Sequence, residues 1–140
     1  MKIFKKTSIS QNYKNSVLAI GNFDGLHIGH KKVLKEAYKK ALETKKKFGM
    51  LTFEPVPVMF FNKKICNHRL DLESQKISRL KKEKLDFVII QKFNKKFSKL
   101  SYHDFIKNIL HKKVGCKYLY VSKNFRFGKN RKGDVKKLKK

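Results

Sequence analysis

Four short apolar runs divide this chain. They cover residues 16–21, 48–53, 87–91 and 118–122. Each run is almost continuously apolar rather than alternating, and the first ends in glycine. A short run of this kind is typical of a strand that is covered on both faces. The pattern therefore predicts four strands of an internal sheet.

Helical periodicity occupies two of the intervals between these strands. After the first strand, apolar residues recur three and four positions apart, with lysines on the opposite side. They are Leu34, Ala37, Tyr38, Ala41 and Leu42. A second face of this kind follows Ser101, which together with Asp104 is close to a capping box. Its apolar positions are Tyr102, Phe105, Ile106, Ile109 and Leu110. We expect two amphipathic helices, each with one side against the sheet.

Turn and loop signals fill the rest of the chain. The prolines within residues 54–57 end the second strand, and residues 58–69 predict a loop with a short helical turn. Asp71 can cap a further helix that runs to about residue 84. The inward side of that helix is formed by Leu72, Ile77 and Leu80. Residues 124–134 are rich in glycine and charge and predict a loop, and a last helix is expected to begin near Val135.

The alternation of strand and helix decides the fold class. Strands that are buried on both faces and separated by helices indicate a parallel sheet with right-handed crossovers. The sequence therefore predicts an α/β fold, a Rossmann-like parallel sheet with helices on both faces. No repeat or linker divides the chain. Its 140 residues, 40% of them hydrophobic, suffice for the core of a single domain at residues 1–140.

A formal net charge of +27 raises the question of a nucleic-acid partner. Only four of the 37 basic residues are arginine, and the lysines are spread along the whole chain. Proteins that bind phosphates and bases specifically rely on the bidentate arginine fork. The bias toward lysine, with abundant Asn, Ile and Phe, indicates drift toward AT-rich codons. We therefore expect solvated lysines, weak salt-sensitive contacts with polyanions, and no specific nucleic-acid partner.

The sequence indicates neither a membrane protein nor a disulfide-bonded one. No apolar run approaches the roughly 20 residues that a membrane-spanning helix needs, and the first residues lack the apolar core and cleavage site of a signal peptide. Cys66 and Cys116 are isolated and fit no metal or redox spacing. The expectation is a cytoplasmic protein with two reduced thiols, and no residue is assigned as a metal ligand.

The chemistry is expected in residues 21–30, between the first strand and the first helix. In an open α/β sheet, ligands bind beyond the carboxyl ends of the strands. Gly21, Gly25 and Gly29 allow a tight turn and a close approach of the backbone to a ligand. His27 and His30 lie three positions apart, so they share a face at the helix N-terminus, where free N–H groups favour an anion. Two imidazoles at such a helix end indicate a phosphate site.

A metal site, or a pair of histidines without a role, is the alternative for the same residues. A metal ion would need a third ligand, which Asp24 could supply, but the glycines would then have no purpose. The His-x-x-His spacing alone does not decide between these alternatives. The complete ten-residue pattern is much more specific.

Residues 21–30, G-N-F-D-G-L-H-I-G-H, resemble the G-x-F-D-x-x-H-x-G-H signature of the nucleotidyltransferase superfamily. Further matches narrow this resemblance. They are L-T-F-E-P-V-P at residues 51–57, R-L at residues 69–70 and N-F-R-F-G at residues 124–128. In this order they are similar to the adenylyltransferase domain of bacterial bifunctional riboflavin kinase/FAD synthetase. The resemblance extends from residue 16 to residue 134.

This resemblance implies the reaction ATP + FMN → FAD + pyrophosphate, with Mg²⁺ as cofactor and ATP and FMN as substrates. His27 and His30 would be the catalytic residues that hold the triphosphate. The implied ATP-binding residues are Gly21, Asn22, Phe23, Asp24, His27, Gly29 and His30. The implied flavin-binding residues are Pro55, Pro57, Asn124, Phe125, Arg126 and Phe127. Three further aromatic residues near these segments, Phe53, Phe60 and Phe61, are interpreted as core.

Three departures from the family pattern qualify this function. Val56 stands between the two prolines, where the family commonly has His, and Ser122 stands where it often has Gly. Residues 1–140 also lack the family's Ser/Thr-rich segment ending in Ile-Arg and its riboflavin kinase domain. The fold is therefore expected to be incomplete at its C-terminal end, and a second polypeptide could supply the remainder.

Three other functions stay open on the sequence. The first is a shortened remnant that binds nucleotide or flavin without catalysis. The second is a cytidylyltransferase-like enzyme acting on an alcohol phosphate, in which the segments at residues 51–57 and 124–128 would have no purpose. The third is a basic RNA-binding protein, which the low arginine content disfavours.

Overall fold

The computed structural model describes residues 1–21, 28–54, 78, 81, 83–121 and 133. The strands in this part of the chain are β1 (Lys2–Phe4), β2 (Val17–Ile20), β3 (Phe48–Glu54), β4 (Phe87–Lys92) and β5 (Tyr118–Tyr120). The helices are α1 (Ile28–Thr44), α2 (Lys95–Ser98) and α3 (Tyr102–Asp104), and a short 3₁₀ helix covers Gln11–Tyr13. Helix α3 continues directly into a π-helical segment, π1 (Phe105–Val114).

The described strands form one sheet in the order β1-β4-β3-β2-β5, and every neighbouring pair is parallel. Without β1, this is the order 3-2-1-4 of the first four strands of a Rossmann fold. The chain first moves from β2 through β3 to β4, and then returns to place β5 on the other side of β2. The predicted Rossmann-like parallel α/β sheet is therefore confirmed.

Both faces of the sheet are covered, as the continuously apolar strands predict. Along β2, Val17 and Ala19 belong to the core beneath α1, whereas Leu18 and Ile20 belong to the core beneath α3 and π1. The α1 side is completed by Leu34, Ala37, Ala41, Phe48, Met50, Leu85, Val88 and Ile90. The opposite side is completed by Ile9, Leu51, Phe53, Phe87, Ile89, Phe105, Ile109, Leu110 and Val114.

The predicted inward faces of the two amphipathic helices are confirmed with one exception. Leu34, Ala37 and Ala41 of α1 are buried, but Leu42 is 62% exposed, so its assignment to the inward face was wrong. Successive helical residues are rotated by about 100°, and the contact of α1 with the sheet is centred on Ala37 and Ala41. Leu42 therefore turns toward solvent.

Ser101 caps the second amphipathic helix, as predicted. Its Oγ accepts a hydrogen bond from the N–H of Asp104 at 3.1 Å. The helix ends at Gly115, whose φ of 61° places it in the left-handed region and whose N–H donates to the carbonyl oxygen of Leu110 at 2.9 Å. The π-type hydrogen bonding between these two ends was not predicted.

Two elements of the sheet region were not predicted at all. Strand β1 has only three residues and pairs with β4 at the sheet edge, from Lys2 opposite Phe87 to Phe4 opposite Ile89. Helix α2 is a single turn capped by Asn94, whose Oδ1 accepts a hydrogen bond from the N–H of Phe97 at 2.8 Å.

The loops predicted at residues 58–69 and 124–134 and the helix near Val135 lie outside the described residues. So does the predicted helix at residues 71–84, apart from residues 78, 81, 83 and 84.

An aromatic ring packs directly on a glycine at the centre of the sheet. Gly49 of β3 lies opposite Phe87 of β4. A β-carbon on Gly49 would lie 2.1 Å from Cζ of Phe87, a distance that no folded structure tolerates. The ring of Phe87 is fully buried and is fixed by edge contacts with Tyr13 at 5.2 Å and Phe4 at 6.2 Å between ring centroids. Glycine at this position thus makes room for the ring.

The Cys116 thiol is free and packs against the core beneath π1. Burial raises its pKa from the usual 9.0 to about 11, because the thiolate loses its hydration. The unfolded chain therefore loses this proton at a lower pH than the folded protein does. The stabilisation is complete below pH 9 and is lost as the pH rises through about 11.

We expect the difference in unfolding free energy between the parent chain and Cys116→Ala to fall by about 2 kcal/mol between pH 8 and pH 11, since each pKa unit corresponds to about 1.4 kcal/mol. Urea unfolding at several pH values measures it. Comparison with Cys116→Ala cancels the titration of the lysines, which is common to both proteins. A difference that stays constant across this range would show that the folded protein forms the thiolate as easily as the unfolded chain.

Candidate functional site at the carboxyl edge of the sheet

The order of the strands creates a switch point between β2 and β5. The chain leaves β2 toward β3 on one side, and β5 arrives on the other side, so the connections diverge at this place. In open α/β sheets, ligands bind in the crevice that such a divergence opens beyond the carboxyl ends. Ala19 lies opposite Tyr120, so β2 and β5 end at nearly the same level. The crevice is therefore expected above Ile20 and Tyr120.

The edge of the sheet has a step beside this crevice. Ile20, the last residue of β2, pairs with Leu51, but β3 and β4 continue together until Glu54 pairs with Lys92. At about 3.3 Å per residue, these strands project roughly 10 Å beyond the end of β2. The N–H of Gly21 donates to the carbonyl oxygen of Leu51 at 3.2 Å. This hydrogen bond holds the chain against β3 at the base of the step as it leaves the sheet.

The first turn of α1 stands at the same edge. The helix begins at Ile28, so Gly29 and His30 lie in its first turn, where the sequence places the start of the helix. Backbone N–H groups in a first turn have no partner within the helix. This turn contains no acidic residue that could compensate the positive end of the helix dipole. The backbone therefore favours an anion at the position predicted for phosphate.

Most of the other predicted site residues lie outside the described residues. This holds for Asn22, Phe23, Asp24 and His27, for Pro55 and Pro57, and for Asn124, Phe125, Arg126 and Phe127. Their roles stay predictions. The strands that precede them are nevertheless placed: β2, β3 and β5 are adjacent, and the chain leaves all three at the carboxyl edge. The chain therefore leaves the sheet toward the three candidate segments at neighbouring points of the same edge.

A cluster of aromatic rings supports the step from the α3 side. Phe53, near the end of β3, is 5% exposed, which confirms its interpretation as a core residue. Its ring lies 6.0 Å from Phe93 and 5.7 Å from Phe97 between centroids, and Phe97 lies 6.1 Å from Phe105. Phe60 and Phe61 lie outside the described residues. The cluster packs the projecting end of β3 against the segment that follows β4.

Exposed lysines at this edge were not singled out by the sequence. Lys92 ends β4, and Lys95 and Lys96 begin α2. The only sequence signal for their position is Asn94, the cap of α2, because the short helix turns the chain along the edge.

Within the ranges that the structure describes, no group of three or more His, Cys, Asp or Glu residues could hold a metal ion. None of the described helices is long and apolar enough to cross a membrane.

Comparison with known proteins identifies a matching family and several relatives. The model of a family described as FAD synthetase matches residues 9–140. A protein of Buchnera aphidicola subsp. Schizaphis graminum, named bifunctional riboflavin kinase/FMN adenylyltransferase, is 41% identical over 125 residues. Proteins of the same name from Buchnera aphidicola subsp. Acyrthosiphon pisum and from Escherichia coli K12 are 38% and 34% identical to this chain, respectively. These alignments cover 89%, 100% and 89% of this chain, respectively, but only 40%, 45% and 40% of the relatives.

A solved structure shares the fold. The crystal structure of a protein from Streptococcus pneumoniae, named macrolide-efflux protein, superposes with a TM-score of 0.81 over 98% of this chain and 45% of its own. The sequence identity is 21%, so this likeness concerns the fold alone. The name belongs to that protein, and nothing about efflux transfers to the present chain.

Proposed function

Because this chain belongs to the FAD synthetase family, we propose that it transfers the adenylyl group of ATP to FMN, which gives FAD and pyrophosphate. The observation that carries the proposal is the switch point between β2 and β5. There, the first turn of α1 and the ends of β2, β3 and β5 meet at one edge of the sheet. All three segments predicted to contact ATP or FMN start from that edge.

In the proposed reaction, a phosphate oxygen of FMN attacks the α-phosphorus of ATP. A new P–O bond forms, the bond from the α-phosphorus to the oxygen that bridges to the β-phosphate breaks, and pyrophosphate leaves with that oxygen. The nucleophile belongs to the substrate, so no side chain needs to form a covalent intermediate. Catalysis then consists of positioning two phosphates in line and stabilising negative charge.

We assign the phosphate-binding role to His27 and His30. Both are proposed to hold the triphosphate and to donate hydrogen bonds to the charge that develops on the α-phosphoryl oxygens and on the leaving pyrophosphate. The position of His30 in the first turn of α1 supports this assignment, because the helix dipole acts in the same direction. The backbone from Gly21 to Asp24 is proposed to close around the nucleotide, with Gly29 allowing a close approach to the first turn.

The flavin is assigned to the opposite sides of the crevice. Pro55 and Pro57 follow the projecting end of β3, and Asn124, Phe125, Arg126 and Phe127 follow β5. Because β2 lies between these strands, a flavin held from both sides would place its phosphate above β2, near α1. This is the geometry that the attack on the α-phosphorus requires.

Mg²⁺ enters the proposal with ATP. This ion keeps several of its water ligands and is usually held by substrate phosphates with one or two carboxylates. Its chemistry would be to neutralise charge on the phosphates. We assign no residue of the chain as its ligand. The proposal also places the protein in the cytoplasm, where ATP is supplied, and treats residues 1–140 as an adenylyltransferase domain.

The decisive experiment incubates the purified chain with ATP, Mg²⁺ and FMN and measures FAD and pyrophosphate by chromatography. Both products should appear in equal amounts. Riboflavin in place of FMN is the matched control, because it has the same ring system but no phosphate nucleophile, and it should give no product. Turnover with CTP and an alcohol phosphate alone would overturn the flavin assignment.

Two other results would change the proposal. Binding of FMN and ATP without turnover would identify a nucleotide- and flavin-binding remnant. Turnover that appears only when the remaining part of a bifunctional relative is added as a separate polypeptide would show that the partner supplies part of the site.

A further inference from the structure

Exposed lysines occur at two places along the carboxyl edge of the sheet. Lys31 and Lys32 follow the first turn of α1, and Lys92, Lys95 and Lys96 lie at the end of β4 and in α2. All five side chains are exposed. We call them the edge lysines. Lys31 and Lys32 lie beside the first turn of α1, and the other three lie on β4 and α2, beyond β3 along the same carboxyl edge. None belongs to the segments that the proposed function uses.

Several other lysines in the described part of the chain contact aromatic rings. Lys47 and Lys84, toward the amino edge of the sheet, lie over the rings of Tyr13 and Tyr38 at 4.2 and 5.4 Å, and Lys40 lies 4.8 Å from the ring of Tyr118. Such contacts stabilise the fold. Among the described residues, no ring or carboxylate is recorded in contact with an edge lysine.

Among the residues that the structure describes, which do not include Asp24, the charge at this edge is positive. Glu54 pairs with Lys92 across β3 and β4, and Asp104 lies in α3, which begins at the same edge. These two acidic residues stand against five edge lysines. The first turn of α1 adds the positive end of its dipole. An anion that approaches this edge therefore meets an attractive field.

We propose that the edge lysines form a capture surface that guides phosphate-bearing substrates into the crevice. The proposal rests on the proposed function, in which both ATP and FMN are anions. Electrostatic attraction of this kind raises association rates by about 10- to 1,000-fold when it is strong. It acts mainly on the rate of binding, because charges at a rim remain hydrated when the ligand has settled.

The short range of electrostatic forces in salt explains why these lysines matter and more distant ones do not. At physiological ionic strength the Debye length is about 8 Å. The seven residues of β3 separate the two edges of the sheet by roughly 20 Å. Lys112, Lys113 and Lys117 lie near the amino edge, at the end of π1 and before β5. Their attraction for a ligand at the carboxyl edge is therefore screened.

Two triple variants with the same change in charge test the proposal. One replaces Lys92, Lys95 and Lys96 by Gln. The other replaces Lys112, Lys113 and Lys117 by Gln, and these lysines are also exposed. Stopped-flow quenching of FMN fluorescence gives the association and dissociation rates in buffers of increasing salt. We expect the first variant to lower the association rate about three- to tenfold near 0.05 M salt, with an unchanged dissociation rate. The second should lower it by less than about twofold.

The dependence on salt provides the second criterion. The rates of the parent chain and the first variant should converge near 0.5 M salt, where screening removes the attraction. Equal association rates for the two variants at low salt would overturn the capture surface. So would a difference between the parent chain and the first variant that persists at 0.5 M salt. In either case, the observed binding of FMN would leave the proposed function intact. If the parent does not bind FMN, a fluorescent methylanthraniloyl derivative of ATP serves in the same comparison. Absence of binding for both ligands would overturn the capture surface and the proposed function together.

Discussion

Replacement of His30 by alanine is expected to lower kcat for FAD formation by about 10²- to 10³-fold. The residue lies in the first turn of α1, at the edge where the ends of β2, β3 and β5 meet. There its imidazole is proposed to donate to charge that appears only as the α-phosphoryl group is transferred. Loss of one such donor typically costs about 3–4 kcal/mol of transition-state stabilisation. Steady-state kinetics at saturating ATP and FMN measure the effect.

The matched control is His111→Ala, because His111 is exposed on π1 and has no proposed role. Its kcat should equal that of the parent chain. Circular dichroism and urea unfolding should show that His30→Ala is folded, since alanine favours a helix more than histidine does. A folded His30→Ala protein with undiminished kcat would remove His30 from the catalytic assignment and leave the phosphate role to His27 alone.

Gly49→Ala is expected to destabilise the folded protein by about 3 kcal/mol or more. The new methyl group would lie 2.1 Å from Cζ of Phe87. Adding a methylene group to a packed core usually costs about 1–3 kcal/mol. The cost here should reach or exceed the upper end, because the Phe87 ring is fully buried and is held by Phe4 and Tyr13. Such a loss is a large part of the stability of a small domain. Urea unfolding monitored by circular dichroism measures it.

A double-mutant cycle identifies the ring as the cause. Phe87→Leu removes the far end of the ring and should make room for the methyl group at Gly49. Gly49→Ala should then cost at least about 1 kcal/mol less in the Phe87→Leu background than in the parent chain. Additive costs would mean that the penalty comes from the backbone of β3 and not from the contact with Phe87.

The sequence predicts the parts of the fold that depend on local patterns. Four continuously apolar runs identify β2 to β5, because a strand covered on both faces needs apolar residues at every position. The inward faces of α1 and of the α3–π1 helix follow from periodicity. The error at Leu42 has the same origin: periodicity gives the direction of an apolar face but not its width. That width depends on how closely the helix approaches the sheet.

The parts that sequence analysis missed depend on contacts between distant residues. Strand β1 has three residues, one of them lysine, and becomes a strand only because β4 is there to pair with it. The room that Gly49 makes for Phe87 arises from a pairing between β3 and β4. Neither relation is visible in a window of neighbouring residues. The π-type hydrogen bonds of π1 are equally hidden, since Phe105, Ile109 and Leu110 can face the sheet in either kind of helix.

The candidate site shows the same division. The sequence places His27 and His30 at the start of a helix, and the structure begins α1 at Ile28, with His30 in its first turn. The adjacency of β5 to β2 and the projection of β3 and β4 beyond them could not be predicted, because both depend on strand order and register. The edge lysines escaped notice for another reason: in a chain with 37 basic residues, composition does not distinguish a lysine at a crevice from one elsewhere.

The position of β5 beside β2 also bears on how the molecule is made. Val17 pairs with Tyr118, so β2 waits for this neighbour until the long segment between them has left the ribosome. Pairings between such distant segments form slowly, because a long loop must close first. Helix α1 and the β2–β3 pair can assemble early, but the crevice cannot. Nascent chains should therefore complete the proposed site only after β5 has paired, and until then β2 presents an unpaired edge on which chaperones or aggregation can act.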